Sequence, residues 1–149
     1  MPLNNLKNTI SKYSKNTGRV FPLILHDISE NEMVRFKELI VRLKNKYNFL
    51  DPTDFETFIS GNLKLKKDHL LLSFDDGFLS NYQVAKETLQ PLEIKAIFFI
   101  PSGFIDSSVR NENERYIQEN IYNGEFPSDI QQATMKAMSW GNLSELVDM

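Results

Sequence analysis

The sequence has no cysteine, no apolar stretch long enough to span a membrane and no long basic block. Without cysteine, disulfide bonds and thiolate metal ligands are excluded. The 17 basic and 20 acidic residues give a net charge of -3, so we expect no nucleic-acid partner. Since no signal-like segment or transmembrane segment is evident, the sequence predicts a cytoplasmic protein without a membrane span.

The first 19 residues differ in pattern from the rest of the chain. Leu3, Leu6, Ile10 and Tyr13 fall on one helical face, but this apolar face is too small to favour a membrane-surface helix. We therefore predict a helical or flexible extension over residues 1–19. The remaining residues, 20–149, are numerous and apolar enough to form one globular domain.

From residue 20 the pattern alternates between short apolar runs and helical repeats. Buried strands are predicted over 20–26, 70–74 and 95–100, with a brief extended piece at 48–50. Helices are predicted over 29–46, 51–59 and 78–89, and another begins near residue 139. Residues 106–137 are predicted to form a surface excursion with polar helical segments. This order indicates an α/β fold with parallel strands and crossover helices.

The most informative segment is the apolar run Leu70–Phe74, which is followed directly by Asp75, Asp76 and Gly77. Two adjacent carboxylates repel each other, and a divalent cation would offset that repulsion. Asp-Gly is also common in tight turns, so spacing alone leaves a metal site and an ordinary turn open.

Four segments in order resemble the polysaccharide deacetylases, also called carbohydrate esterase family 4 or the NodB homology domain. The first is Pro22–Ile28, and the second is Leu71–Phe78, in which Ser-Phe-Asp-Asp-Gly stands for the usual Thr-Phe-Asp-Asp-Gly. The third is Lys95–Ile105, and the fourth is Met138–Trp140 with the helix after it. The chain is thus identified by resemblance as an N-terminal portion of such a domain.

The resemblance implies an incomplete, distorted (β/α)7 barrel whose site lies at the carboxyl ends of the strands. It implies hydrolysis of the amide bond of N-acetylated sugars, with an acetylated polysaccharide or oligosaccharide as substrate. A divalent metal, usually zinc, polarises the acetyl carbonyl in this family. By the same resemblance, Asp75 is the catalytic base and Asp76 is a metal ligand.

The histidine half of the family's metal site has no match in this sequence. The other two ligands normally come from a His-Ser/Thr-x-x-His motif, and His26 and His69 do not fit it. We therefore expect a domain over 20–149 that is truncated before that motif and is inactive alone, because a catalytic zinc site usually takes three protein ligands.

The other candidate residues are explained more simply by structural roles than by functional ones. His26 follows the first strand and could line the substrate mouth, although a hydrogen-bonded structural histidine is the more common case. His69 precedes its strand and is expected at the surface. Trp140, Phe98 and Phe99 are predicted to be core residues rather than sugar-stacking platforms, because they lie in apolar patterns.

Two other classes of function remain. One is a non-catalytic role, as a truncated pseudoenzyme or as half of a split barrel that acts as an interaction module. Exposed partial-barrel surface would then favour self-association. The other is a phosphorelay receiver domain, which also carries paired acidic residues, but Asp106 and the lysines do not fall at the positions that it requires.

Overall fold

A computed structural model describes residues 18–124 and 135–149. Within these residues the strands are β1 (Val20–Leu25), β2 (Asn48–Phe49), β3 (His69–Phe74) and β4 (Ala96–Phe98). All pair in parallel with β3, which is central. β1 pairs along its whole length, from Val20 opposite His69 to Leu25 opposite Phe74. β2 pairs with the start of β3 and β4 with its end, so β3 is bonded along both edges.

Helices connect and cover these strands. They are α1 (Glu30–Lys46), α2 (Pro52–Ile59), α3 (Leu79–Val84), α4 (Ser102–Val109), α5 (Asn113–Tyr116) and α6 (Trp140–Val147). α3 continues into a π-helical turn, Ala85–Leu89, and α5 into another, Ile117–Ile121. The predicted α/β alternation with parallel strands is confirmed. None of the described helices is long and apolar enough to cross a membrane.

The core forms on both faces of β3, as its uninterrupted apolar sequence predicts. Every residue from Leu70 to Phe74 is buried. Leu72 and Phe74 pack among residues of α1 and α3, including Phe36, Ile40 and Val84. On the opposite face, Leu71 packs with Leu50 and Leu65. Because both faces of β3 are buried, the strand has a fixed position, and so do the residues that come after it.

β1 is less buried than the sequence predicted. Ile24 is 61% exposed, and Phe21 and Pro22 are also exposed. Among the described residues β1 pairs with β3 alone, and a proline is tolerated in a strand at a sheet edge because it cannot donate a ladder hydrogen bond. The prediction of a fully buried first strand was therefore wrong, because an apolar run does not reveal how many neighbours a strand has.

The segment after β4 forms a helix. α4 begins at Ser102, and its Phe104 and Ile105 are fully buried. Phe104 packs with Phe78 and Ile117 in a second apolar cluster. Part of the predicted excursion over 106–137, residues 125–134, lies outside the described residues. So does the predicted extension over 1–19, apart from its last two residues.

α6 is attached to α3 by a polar network. The Tyr82 hydroxyl donates to Glu145 Oε2 at 2.5 Å, and Lys86 Nζ donates to both the Tyr82 hydroxyl and Glu145 Oε2. This network raises the pKa of Lys86 and lowers that of Glu145 through hydrogen bonds and charge attraction. α6 is therefore tied to α3 and the π-helical turn after it through Glu145, near its own C-terminal end.

The N-terminal cap of α2 gives a stability prediction. Asp51 Oδ1 accepts a hydrogen bond from the Thr53 backbone N–H at 2.9 Å, and its hydrogen bonds with Thr53 lower the pKa of the Asp51 carboxyl. We expect Asp51→Ala to reduce the free energy of unfolding by about 1 kcal/mol at neutral pH. Because the folded-state pKa is lowered, this contribution is present above the unfolded pKa of about 3.9 and is lost as pH falls through the folded pKa.

Urea unfolding of the parent chain and of Asp51→Ala, compared at neutral and acidic pH, measures the effect. Asp54→Ala is the matched control, because Asp54 also lies in the first turn of α2 but is not the capping residue. An equal loss of stability in the two variants would contradict the capping interpretation.

Candidate active site at the carboxyl end of the sheet

Asp75 and Asp76 occupy the turn that follows β3. The Asp75 N–H donates to the Leu25 carbonyl at 2.8 Å, so Asp75 still continues the ladder with β1. The backbone then turns through two left-handed residues, with φ of 70° at Asp76 and 75° at Gly77. Aspartate and glycine are among the residues that adopt this conformation most readily. The sharp turn brings both carboxylates to the rim of the sheet, and neither is fully exposed.

Gly77 is required for space as well as for its backbone angle. A Cβ atom built at this position would lie 2.8 Å from Cγ2 of Ile100. Ile100 follows β4, whose end is held to β3 by a hydrogen bond from the Phe99 N–H to the Phe74 carbonyl at 2.8 Å. The turn that carries the two carboxylates is therefore packed directly against the neighbouring strand.

His26 is brought to the same site by the parallel pairing of β1 with β3. Its Nδ1 lies 3.1 Å from Oδ2 of Asp76, and its side chain is mostly exposed while that of Asp76 is mostly shielded. Since His26 follows β1 and Asp76 follows β3, their contact depends on the register that sets Leu25 opposite Phe74. His26 thus lies at the same rim as the carboxylates, and its role at a substrate mouth stays a prediction.

Asn81, in the first turn of α3, holds these two loops together. Its side chain is fully buried. The side-chain amide donates to the His26 carbonyl at 2.7 Å, and its oxygen accepts from the Phe78 N–H at 3.1 Å. Sequence reasoning missed this residue. The available signal was a polar Ser-Asn pair within an otherwise apolar helix start.

Ser80 forms a parallel connection to the loop after β1. Its hydroxyl donates to Asp27 Oδ1 at 2.6 Å and accepts from the Ile28 N–H at 3.2 Å. Burial raises the pKa of the Asp27 carboxyl, and the hydrogen bond from Ser80 partly opposes that shift. Together, Ser80 and Asn81 fix residues 26–28 relative to the carboxylate turn.

The described residues do not assemble a complete metal site. In 18–124 and 135–149, no group of three or more His, Asp or Glu side chains is arranged to hold a metal ion. Asp76 and His26 form a pair, whereas His69 begins β3 at the opposite end of the strand, where its Nδ1 lies 2.7 Å from the Lys67 carbonyl oxygen. These donors do not by themselves complete the three-ligand set of a catalytic zinc.

The aromatic residues near this end of the sheet do not all belong to the core. Phe98 is half-buried and stacks on Phe74, with ring centroids 5.2 Å apart. Phe99 is 58% exposed, and Trp140 is 49% exposed. The core prediction was therefore wrong for Phe99 and Trp140. Successive strand residues face opposite sides, so Phe98 and Phe99 cannot share one environment.

A second backbone segment runs beside the carboxylate turn. The Leu79 N–H donates to the Lys136 carbonyl at 2.7 Å, and the Met138 N–H donates to the Gly77 carbonyl at 3.0 Å. Phe78 and Ala137 form an antiparallel bridge between these bonds. The segment that introduces α6 is consequently part of the wall of the site.

Comparison with known proteins finds likeness in solved structures. No family model matches the sequence, and no curated protein matches it significantly. IcaB from Ammonifex degensii is 21% identical, with a TM-score of 0.63 over 89% of this chain and 50% of its own. A de-N-acetylase from Aggregatibacter actinomycetemcomitans is 18% identical, with a TM-score of 0.59 over 87% of this chain and 51% of its own.

A third solved structure, the Streptococcus pyogenes deacetylase PplD in complex with acetate, is 15% identical. Its TM-score is 0.50, and the match covers 89% of this chain and 52% of the other. This chain therefore spans about half the length of the structures it matches. At these identities the likeness establishes the fold, and the predicted resemblance to polysaccharide deacetylases is confirmed at that level.

The packing of Gly77 gives a second prediction. Gly77→Ala should lower the free energy of unfolding by about 2–4 kcal/mol, because it combines an unfavourable positive φ with a clash against Ile100. Gly61→Ala is a matched control, since Gly61 has a similar φ of 80° but nothing within 4 Å of the added Cβ. For that variant we expect a loss of only about 1 kcal/mol.

Denaturant unfolding of both glycine variants measures the difference, and Ile100→Ala provides a further check. If the clash is responsible, Gly77→Ala should cost less stability in the Ile100→Ala background than in the parent chain. Equal costs for Gly61→Ala and Gly77→Ala would show that only the backbone angle matters at the carboxylate turn.

Proposed function

We propose that this chain is part of a metal-dependent polysaccharide deacetylase that hydrolyses the amide bond of N-acetylated sugars. The observation that carries the proposal is the position of Asp75 and Asp76 on a shaped turn at the carboxyl end of the central strand. Active sites lie at this end in parallel β/α folds. The fold itself is shared with about half of a de-N-acetylase structure, which supports this reaction over other carboxylate chemistry.

Asp75 is proposed as the general base. It would accept a proton from a water molecule whose oxygen attacks the acetyl carbonyl carbon. The carbon–nitrogen bond then breaks as the sugar nitrogen takes up the proton that Asp75 accepted, which leaves acetate and a free amino group and returns Asp75 to its carboxylate form. Because Asp75 continues the ladder with β1, its backbone is fixed while its carboxylate lies at the rim. Such positioning favours a proton transfer over a short, defined distance.

Asp76 is proposed as one ligand of a divalent metal, with zinc as the metal that the motif favours. The contact from His26 would orient the Asp76 carboxylate or compete with the cation for it. Since the described residues do not complete a zinc site, we propose that further ligands come from outside them. The 149-residue chain alone is accordingly proposed to be inactive.

A second candidate function is that of an interaction module, as a truncated pseudoenzyme or half of a split barrel. The exposure of two large apolar side chains, Ile24 and Phe99, favours it. Strand alternation places both on the face opposite to Leu25 and Phe98, which pack against α1 and α3. A polypeptide that supplies further strands, or a second copy of this chain, would bury this surface.

Zinc binding tests the assignment of Asp76. Calorimetric titration of the chain with zinc should give a dissociation constant weaker than about 1 µM, since an incomplete ligand set forfeits much of the free energy of a full zinc site. Asp76→Ala should weaken the residual binding further. Submicromolar binding that Asp76→Ala abolishes would contradict an incomplete site.

Acetate release tests the reaction itself. The chain is co-expressed with the portion of the Aggregatibacter actinomycetemcomitans de-N-acetylase that it does not match, and is assayed with zinc and an N-acetylglucosamine oligomer. We expect release only from the co-purified pair, reduced by at least about 100-fold in Asp75→Asn because a general base contributes that much. A stable pair without Asp75-dependent release would favour the interaction module.

A further inference from the structure

Trp140, which is 49% exposed, follows the segment whose backbone is bonded to the carboxylate turn at the end of the sheet. The Met138 N–H is bonded to the Gly77 carbonyl at 3.0 Å, and Trp140 comes two residues later. Two residues of chain span at most about 7 Å, so the Trp140 backbone is near the turn that carries Asp75 and Asp76. The indole N–H is bonded to Asp106, so it is not engaged with either carboxylate of that turn.

The orientation of the Trp140 ring is fixed by a partner on another helix. Its Nε1–H donates to Oδ1 of Asp106, in the middle of α4, at 3.1 Å. α4 is in turn anchored by Phe104, whose ring meets that of Phe78 edge-on at 5.3 Å between centroids. A single exposed apolar side chain needs no explanation, but an exposed indole held by a carboxylate has lost the freedom of an ordinary surface residue.

A fixed, half-exposed indole is suited to one kind of ligand. Its N–H is already used, so the accessible part presents mainly an apolar aromatic surface. Sugar rings offer flat patches of C–H groups between hydroxyls, and aromatic side chains commonly line the sites that bind such amphipathic ligands. Asp106 is also exposed, and its free lone pairs can accept hydrogen bonds from sugar hydroxyls beside the ring.

We propose that Trp140, oriented by Asp106, is the stacking platform of a subsite that binds a sugar neighbouring the one to be deacetylated. This inference rests on the proposed function, because it takes the ligand to be an N-acetylated oligosaccharide. It assigns Trp140 to substrate binding and Asp106 to positioning the indole. It also predicts that the chain binds oligomers more tightly than single sugars.

Intrinsic fluorescence reports on this subsite directly, since Trp140 is the only tryptophan in the chain. Titration with a β-linked N-acetylglucosamine tetramer should give a saturable change in emission, with at least about tenfold tighter apparent binding than the monosaccharide shows. A glucose tetramer of equal length tests the need for the acetamido group. No saturable change in emission would overturn the proposal, and an equal response to the glucose tetramer would overturn its restriction to N-acetylated sugars.

Calorimetry with matched variants separates stacking from folding effects. Trp140→Ala should weaken binding of the N-acetylated tetramer by about tenfold, the effect typical of an aromatic anchor. Phe21→Ala, which removes an exposed aromatic at the opposite end of β1, should leave binding unchanged. Asp106→Ala should weaken binding several-fold, whereas Asp106→Asn retains an acceptor for the indole N–H and should restore it.

The outcomes distinguish this proposal from the proposed reaction. Unchanged tetramer binding in Trp140→Ala overturns the platform, even if the co-expressed pair releases acetate. Tetramer binding that Trp140→Ala weakens, with no acetate release from the co-expressed pair, supports the platform and counts against the deacetylase reaction. Equal binding by Asp106→Ala and the parent chain overturns the positioning role of Asp106.

Discussion

The hydrogen bonding of β3 along both edges is the constraint on which the rest of the structure depends. β1 on one side and β2 and β4 on the other hold the strand in place, and its two faces are buried by separate apolar clusters. A strand held in this way ends at a defined point. The turn of Asp75, Asp76 and Gly77 therefore has a fixed position at the end of β3. Its contacts to His26 and Ile100 result from the registers of the neighbouring strands.

Local features of the fold could be predicted from the sequence because their causes are local. The five buried residues of β3, the Ser29–Glu32 capping box of α1 and the Asp51 cap of α2 all depend on neighbours within a few positions. The carboxylate turn was likewise placed correctly. The roles of Asp75 and Asp76, in contrast, come from the resemblance of the motif and stay predictions.

Features that depend on distant partners could not be predicted in the same way. The burial of Phe104 in α4 and the exposure of Trp140 depend on which segments pack over them. Apolar composition signals a preference for burial, but it carries no information about whether a covering partner is present. The contact between His26 and Asp76 needed a strand register, which only the pairing of 6 residues of β1 with β3 supplies.

The fully buried amide of Asn81 has a consequence for how a ligand would meet this site. Because it connects the loop after β1 to the start of α3 through two hydrogen bonds, the spacing of His26 and the carboxylates is set when the chain folds. The conformational entropy lost in arranging these groups is therefore lost when the chain folds, and not again each time a ligand binds. A cation or sugar arriving at this rim would thus encounter a preorganised surface, and little of its binding free energy would be consumed in ordering the protein.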